Sequence, residues 1–333
     1  MGHIEVIRSF YEDYYSSIDF KKWQNEFSSK INSSLYSSKN LREDKIVECL
    51  CKEMSNQKYK GLLIESKKIH SRSTSGVEFN HIDKKTVKEL ADMVIVSVVT
   101  DNDEIMLLKI AFIQNKKATM SKTSPYSWKI EQKQLFLLKN FPTFIGVSGY
   151  FKSKEITFQN HSSTLGNYGL FTPTGDMVFL TARNVFCNQN SRDIITFNDI
   201  KKASSLSVPL WDTVDRFYPY YKYKLGHCCI NPEDEECLAL LTEWYNSPFF
   251  NNYNYALDVN EIVKQLTYFN IGENVVQTTD NTLYSYTKYL LNQFEYTIGD
   301  DNKLKRNQKN NDIPYESETH VILNHLELAE RKD

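Results

Sequence analysis

The sequence predicts an α/β fold, and two kinds of hydrophobic pattern lead to that prediction. Apolar residues recur at helical spacing from Ile4 to about Leu50, around a serine-rich break at residues 28–40, which indicates an N-terminal helical cap. Residues 93–99 and 105–113 (MVIVSVV and IMLLKIAFI) are apolar runs of strand length, and the first is rich in β-branched side chains. The chain should therefore bury strands beneath helices.

The two apolar runs are predicted to pair as a β-hairpin. The residues between them, 100–104 (TDNDE), are typical of a turn. A first strand or irregular edge is expected at residues 58–71, and a short helical or turn segment at 76–91. After the hairpin, residues 128–141 have an amphipathic helical pattern that Pro142 ends. The predicted order is helix, strand, hairpin, helix.

The rest of the chain predicts a second α/β or α+β unit and a polar tail. The expected elements are strands at 144–151 and 155–160, a hairpin over 165–180, and helices at 232–245, 259–269 and 281–294. Residues 300–318 are expected to be a polar linker, and 321–332 a short final helix. The predicted units are a helical cap with a core (1–145), a second domain (146–300), and the linker with its helix (301–333).

Composition and charge limit the function. Forty basic against 42 acidic residues give a formal net charge of −2, so nucleic-acid binding would need a local basic patch. No apolar run approaches the ~18 residues of a membrane helix and no secretory signal is recognisable, which predicts a cytoplasmic protein that does not contact membranes. The six cysteines are expected to be reduced. The sequence lacks GxxxxGK[ST] and GxSxG, which argues against a P-loop motor and against acyl transfer at a nucleophile elbow.

Polar side chains stand at the two open ends of the predicted hairpin. Asp92 precedes the first strand, and Gln114 and Lys116 follow the second apolar run. Because an antiparallel turn brings the open ends into register, Asp92 and Gln114 are expected to be neighbours. Side chains alternate along a strand, so Lys116 faces the same way as Gln114. Carboxylate and amide oxygens bind hard cations and a lysine neutralises phosphate, so this cluster indicates phosphodiester hydrolysis.

The residues ELADMVIVSVV followed by LLKIAFIQNKK resemble the PD-(D/E)XK, or restriction-endonuclease-like, nuclease superfamily. The resemblance is to the variant in which glutamine replaces the acidic residue of the (D/E)xK element, and it covers roughly residues 40 to 145. It implies an αβββαβ core, carrying the helical cap and the C-terminal elaboration. It also implies that Asp92 and Gln114 bind Mg²⁺ or Mn²⁺ and that Lys116 is the catalytic lysine.

The same resemblance implies supporting residues around this centre. The first core helix often supplies a further carboxylate, for which Glu43 or Glu48 would match, and Glu89 competes for that place. Lys117 would exchange roles with Lys116 if the strand carried a bulge. The helix after the lysine carries a glutamine in one branch of the superfamily. Its candidates here are Gln132 and Gln134.

The function implied by the resemblance is a metal-dependent endonuclease that cleaves DNA within a prokaryotic defence or restriction system. Its partners would be DNA and a protein such as an ATPase or a sensor subunit. Two departures leave an alternative open: Ala91 replaces the usual proline before Asp92, and the neutral Gln114 lowers the ligand charge. The alternative is a non-catalytic adaptor that keeps the nuclease fold to bind nucleic acid or protein. An interaction or inhibitor protein with an accidental D…QxK pattern is the third hypothesis.

A purely structural interpretation of the same residues is also open. Asp92 would then be a turn residue that starts a strand, and Gln114 and Lys116 would be a solvated strand end. The lysine pair at 116–117 would protect a sheet edge from pairing with another chain. Central, buried strands would count against this interpretation, because polar clusters at their shared ends more often bind something.

Overall fold

Runs of several strands separate the helices in the computed structural model. It describes residues 17–70, 76–82, 84–119, 127–159, 164–185, 194–196, 258–275, 280–306 and 318–328. The predicted α/β class is confirmed as a mixed α/β fold with a mixed sheet. Within the described residues the helices are α1 (Ile18–Ser38), α2 (Glu43–Met54), α3 (Gln132–Asn140), α4 (Val259–Thr267) and α5 (Asn281–Asn292).

Strands form one large sheet and several small ones. In chain order they are β1 (Gln57–Tyr59), β2 (Leu62–His70), β3 (Gly76–His81), β4 (Lys84–Glu89), β5 (Met93–Asp101), β6 (Glu104–Lys117), β7 (Ser127–Lys129), β8 (Phe144–Gly146), β9 (Glu155–Ile156), β10 (Gly166–Phe171), β11 (Met177–Thr181), β12 (Ile194–Thr196), β13 (Glu273–Asn274), β14 (Tyr296–Ile298), β15 (Leu304–Arg306) and β16 (Glu318–Glu327). The large sheet has the order β1-β2-β16-β5-β6-β10-β11, with β13 also paired to β6. A four-stranded sheet has the order β4-β3-β8-β9.

The predicted hairpin at the centre of the large sheet is confirmed. Strands β5 and β6 pair antiparallel, with Met93 opposite Ile113. Asn102 and Asp103 connect them with positive φ values of 49° and 65°, which suits a tight two-residue hairpin turn. Almost every residue of both strands is buried, so these are central strands and not solvated edges.

The chain leaves β6, passes through α3, and returns as β10 parallel to β6. Strand β11 then pairs antiparallel with β10, which confirms the predicted hairpin at 165–180. The strands of this sheet come from all three predicted units. The predicted boundaries after residues 145 and 300 therefore cut across the sheet.

The prediction of a short final helix is wrong, because residues 318–327 form β16. This strand lies between β2 and β5, antiparallel to the first and parallel to the second. Val321, Ile322 and Leu323 are consecutive and fully buried, so both faces of the strand are covered. A strand buried on both faces is a continuous apolar run, and periodicity cannot separate such a run from a short helix.

Three further expectations need correction. The serine-rich segment at 28–40 is not a break, because α1 continues to Ser38; serine hydroxyls such as that of Ser28, which donates to the Gln24 carbonyl at 2.9 Å, are satisfied within the helix. Residues 76–89 form the antiparallel pair β3–β4 rather than a helical or turn segment. The helix expected from residue 128 begins only at Gln132, because Trp128 lies in β7 and its indole N–H donates to the Phe171 carbonyl at 2.9 Å.

Several expectations hold and others cannot be placed. The helices predicted at 259–269 and 281–294 are α4 and α5, and the first strand is present as β1 and β2. Part of the expected linker forms β15. The helix predicted at 232–245, most of the linker and the first part of the helical cap lie outside the described residues.

The large sheet is covered on both faces, and each covering layer belongs to its own apolar cluster. Met93, Ile95, Ala111 and Ile113 pack with helices α1, α2 and α4. The alternate residues, which include Val94 and Phe112, pack with α3, α5 and the four-stranded sheet. None of the helices in the described ranges combines the length and apolar character needed to cross a bilayer.

Candidate functional site

Asp92 and Gln114 meet at the open end of the central hairpin. The Gln114 side-chain amide donates a hydrogen bond to Asp92 Oδ2, and the Asn115 backbone N–H donates to the same oxygen at 2.7 Å. The Asp92 backbone is held as well, because its N–H donates to the Ile113 carbonyl at 3.0 Å and its carbonyl accepts from the His320 N–H at 3.2 Å. The structure therefore brings together the two predicted metal ligands, on the side of the sheet that carries α3 and α5.

The environment of Asp92 is crowded and polar. Its side chain keeps some accessible surface, yet burial raises the pKa of its carboxyl to about 7. The Lys116 ammonium and the Asn115 N–H oppose that rise in pKa, whereas Glu89 and Glu43 add to it. The charges of three side chains thus influence the pKa of this carboxyl, and a strongly raised carboxyl pKa marks a candidate binding or catalytic group.

Among the residues that the structure describes, the amide oxygen of Gln114 has no hydrogen-bond partner, although Gln114 is only 5% exposed. The same holds, within those residues, for both side-chain polar atoms of the adjacent Asn115, which is fully buried and points to the opposite face. A buried polar atom without a partner costs about 1–3 kcal/mol. At a partly accessible strand end an arriving ligand can complete the bonding of such an atom, and the Gln114 oxygen lies beside the Asp92 carboxylate. A divalent cation that prefers oxygen ligands, such as Mg²⁺, fits this pair of oxygen atoms.

Lys116 and Glu43 complete the cluster from two different layers. Lys116 Nζ lies 3.4 Å from Glu43 Oε1, and Glu43 Oε2 accepts a hydrogen bond from the Lys117 backbone N–H at 2.6 Å. Glu43 is the first residue of α2, so the start of this helix is attached to the end of β6. The Lys117 ammonium instead donates to the Leu41 carbonyl at 2.6 Å. Of the two lysines, only Lys116 is among the charges that act on Asp92.

The other candidate residues divide into near and distant ones. Glu89 acts electrostatically on Asp92, and its carbonyl accepts a hydrogen bond from the Gln134 side chain at 2.8 Å, which ties α3 to the segment before Asp92. Gln132 is exposed at the start of α3. Glu48 pairs with Lys45 at 2.7 Å on the solvent side of α2, and that hydrogen bond lowers the pKa of its carboxyl. Glu43, not Glu48, is therefore the helix carboxylate at the site.

Sequence reasoning missed the part played by Asn115. Strand alternation assigns its side chain to the face opposite Gln114, but its backbone N–H is one of the two donors to Asp92. A period-two pattern describes side chains only, so it carries no signal for a backbone contact.

The site offers few acidic and amide side chains as ligands for a metal ion. In the described part of the chain, no three His, Cys, Asp or Glu side chains are grouped closely enough to hold a metal ion. Beside the cluster lies an open groove of about 690 Å³. Its lining residues are Arg42, Glu43, Asp44, Lys117, Ala118 and Thr119. A ligand that approached Lys116 along this groove would meet both carboxylates and cationic side chains.

Comparison with known proteins finds no matching family model, no similar curated protein and no similar solved structure. The chemistry of the site is therefore inferred from its own side chains and from the strands that hold them. The site consists of Asp92, Gln114, Lys116 and Glu43, with Glu89 and Gln134 behind them.

Proposed function

We propose that this chain is a Mg²⁺- or Mn²⁺-dependent phosphodiesterase that cleaves DNA. The observation that carries the proposal is the meeting of the Asp92 carboxylate and the Gln114 amide at the shared end of two buried strands, with Lys116 and Glu43 beside them. Polar groups at the shared ends of central strands have a binding role more often than lysines at a sheet edge do. The chemical combination of oxygen ligands and an ammonium suits a phosphate ester.

The chain topology supports a restriction-endonuclease-like core. Helix α2, strands β2, β5 and β6, helix α3 and strand β10 follow one another in the order αβββαβ. Strands β5 and β6 are antiparallel, and β10 is parallel to β6 after the α3 crossover. Two features of this chain are additions to the αβββαβ core. The β3–β4 pair is inserted before β5, and β16 separates β2 from β5 in the sheet.

A divalent cation would be held by Asp92 and Gln114, with Glu43 and Glu89 as further carboxylates that act on Asp92. The orphaned Gln114 oxygen and the Asp92 carboxylate are the hard ligands that Mg²⁺ and Mn²⁺ prefer. When bound, such a cation polarises the phosphate and lowers the pKa of an attacking water. Lys116 would neutralise negative charge on the phosphate. The two backbone bonds of Asp92, to β6 and to β16, keep its carboxylate in place.

A DNA cleavage assay tests the proposal. Purified full-length protein is incubated with plasmid and linear DNA in Mg²⁺, in Mn²⁺ and in EDTA. Cleavage should require a metal, disappear in Asp92→Ala, and persist in the matched control Glu48→Ala, which removes a carboxylate of α2 that pairs with Lys45 instead. Equal cleavage by wild type and Asp92→Ala would show that the site is misassigned.

A non-catalytic adaptor is the second candidate, and one observation favours it. The polar groups largely satisfy one another, because Asp92 already accepts two hydrogen bonds and Lys116 is paired with Glu43. Calorimetric titration with Mn²⁺, alone and with DNA, separates the two candidates. Saturable binding that Asp92→Ala abolishes supports the enzyme, whereas no Mn²⁺ binding even with DNA present supports the adaptor.

A further inference from the structure

A column of aromatic rings leads from the large sheet to the protein surface. The fully buried Phe112 of β6 stacks on Tyr286 of α5, with ring centroids 5.9 Å apart. Tyr286 contacts Tyr150 at 5.4 Å, and Tyr150 contacts Tyr289 at 4.7 Å. Tyr150 and Tyr289 are only partly buried, so the outer end of the column is open to solvent. Rings at this end can receive a further aromatic group.

The hydroxyl in the middle of this column is unusual. The Tyr286 side chain is fully buried, and its hydroxyl has no hydrogen-bond partner in the described ranges of the chain. Burial raises the pKa of Tyr286, and the nearby hydroxyls of Tyr289 and Tyr150 raise it further. Three phenol groups therefore converge beneath an open aromatic surface. A ligand with hydrogen-bonding edges fits this arrangement better than a purely apolar one.

Positive charge lies over the outer ring. Lys154 Nζ is 4.9 Å from the centroid of the Tyr150 ring, and within the described residues Lys154 forms no ion pair. On the same helix, Lys288 lies 5.6 Å from the Tyr284 ring, but the acidic Asp300 acts on that tyrosine too. The lysine beside the outer rings is therefore Lys154. An anionic group would be placed there, next to the rings.

We propose that Tyr150, Tyr289 and Lys154 form a platform for an unpaired nucleotide of single-stranded DNA. The choice of DNA rests on the proposed nuclease function. Each base has a π-face that stacks on tyrosine, and its phosphate supplies the negative charge for Lys154. Bases of a duplex are already stacked on one another, so the platform selects a single strand or a frayed end.

The platform lies on the same face of the sheet as the candidate metal ligands. Phe112, at the root of the aromatic column, is two residues before Gln114 on β6 and faces the same way. Two residues of a strand span roughly 7 Å. The base of the aromatic column and the Asp92–Gln114 pair thus lie on one face of the sheet, about one strand repeat apart.

Binding of an oligothymidylate of about 16 nucleotides, followed by fluorescence anisotropy in EDTA, tests this inference. The variants are Tyr150→Ala and Tyr289→Ala. The matched control is Tyr36→Ala, which removes a tyrosine that is 61% exposed and has its own lysine, Lys39, 3.5 Å from the ring. Each platform variant should weaken binding about five-fold to a hundred-fold. Tyr36→Ala should bind like the wild type.

Conservative variants keep the test decisive if an alanine variant fails to fold. Tyr150→Phe and Tyr289→Phe retain the rings and should bind within about three-fold of wild type, because stacking carries most of the affinity. Lys154→Ala should reduce the slope of log K against log salt by about 0.7, since one phosphate contact is lost. Unchanged affinity in both alanine variants, or an equal loss for a duplex of the same length, would overturn the platform. The binding assay contains EDTA, so its result does not depend on cleavage. A protein that binds single-stranded DNA through these rings but cleaves no DNA in the presence of metal would retain the platform and reject the proposed nuclease function.

Discussion

Strand β6 carries two lysines whose surroundings are opposite. Lys116 lies near the strand end, keeps part of its side chain accessible, and pairs with Glu43. Lys109 lies in the middle of the strand and is only 6% exposed. The two differ by an odd number of residues, so Lys109 faces α1, α2 and α4 whereas Lys116 faces the other layer. One sheet thus holds an open polar cluster and an enclosed one.

The enclosed cluster is a row of polar side chains that crosses four strands. Register places Asn324 opposite Ser97, Ser97 opposite Lys109, and Lys109 opposite Asn274. In the part of the chain that the structure describes, the Ser97 hydroxyl and the amide oxygens of Asn324 and Asn274 have no hydrogen-bond partner. Burial lowers the pKa of Lys109 to about 8, and Glu273 opposes that fall. This row is a cost to stability.

The contrast between the open cluster and the enclosed row indicates where polar groups in central strands can serve a function. At the strand end, Asp92 and Lys116 can exchange their present partners for an ion or a phosphate that arrives from solvent. In the enclosed row, helices cover the polar atoms, so no such exchange is open to them without local unfolding. We therefore expect substitutions at the strand end to change activity, and substitutions in the row to change stability.

The largest expected effect is that of Lys116→Ala on the cleavage rate. Removal of one charged group that stabilises the transition state costs about 10²–10³ in kcat. Lys117→Ala is the matched control and should stay within a few-fold of wild type, because the Lys117 ammonium donates to the Leu41 carbonyl. Single-turnover cleavage measures both. A greater loss in Lys117→Ala would exchange the roles of the two lysines and break the comparison.

Lys109→Met should alter the pH dependence of stability. Below pH 8 the ammonium is charged in both the folded and the unfolded chain, so the cost of burying it is fully present; above about pH 10.5 it is neutral in both, and that cost is gone. The free energy of unfolding of the wild type should therefore rise by up to about 3 kcal/mol relative to that of Lys109→Met between these pH values. Urea denaturation at several pH values measures this gap. If the difference in free energy of unfolding did not change with pH, the polar side chains around Lys109 would be stabilising its ammonium as well as water does.

Gln114→Glu tests whether a cation binds at the strand end. Without metal, a second carboxylate against Asp92 replaces a hydrogen bond by repulsion, so the free energy of unfolding should fall by about 1–2 kcal/mol. With Mn²⁺ the same change adds a charged ligand, and affinity should rise about ten-fold. Thermal unfolding with and without Mn²⁺ reports both effects. A variant that is destabilised equally in both conditions would argue that no cation binds between these side chains.

The smallest expected effect is that of Gln134→Ala. It removes the hydrogen bond from α3 to the Glu89 carbonyl, which should lower the free energy of unfolding by about 1 kcal/mol. Gln132→Ala on the same helix is the control and should change stability by less than about 0.5 kcal/mol, since Gln132 is exposed. Chemical denaturation separates the two. Equal effects would show that α3 does not hold the segment before Asp92.

Much of the candidate site followed from local patterns. The hairpin was predictable because its strands are apolar and β-branched and because TDNDE has turn chemistry. The two-residue turn pairs Thr100 with Ile105, and a register shift between Val99 and Thr100 then moves the pairing by one residue, which brings Asp92 level with Gln114. The roles of these residues stay predictions until activity is measured.

Other parts of the site depended on contacts between distant segments. Glu43 and Glu48 were equivalent in the sequence, and only the packing of α2 against the end of β6 distinguishes them. The Lys117 side chain was an alternative to Lys116 until its contact with Leu41 was visible. Such pairings join residues more than 70 positions apart, and a local pattern does not encode them.

By itself, the sequence determined the central hairpin and the α4 and α5 helices, because hydrophobic period and turn chemistry act over a few residues. It also put Asp92 and Gln114 at the open ends of that hairpin, whereas the register shift within the strand pair brought the two side chains level. Only the tertiary structure decided that residues 318–327 form a strand between β2 and β5, and that Glu43 joins Lys116. An apolar run becomes a strand or a helix according to the partner that buries it, and that partner is chosen by the whole fold.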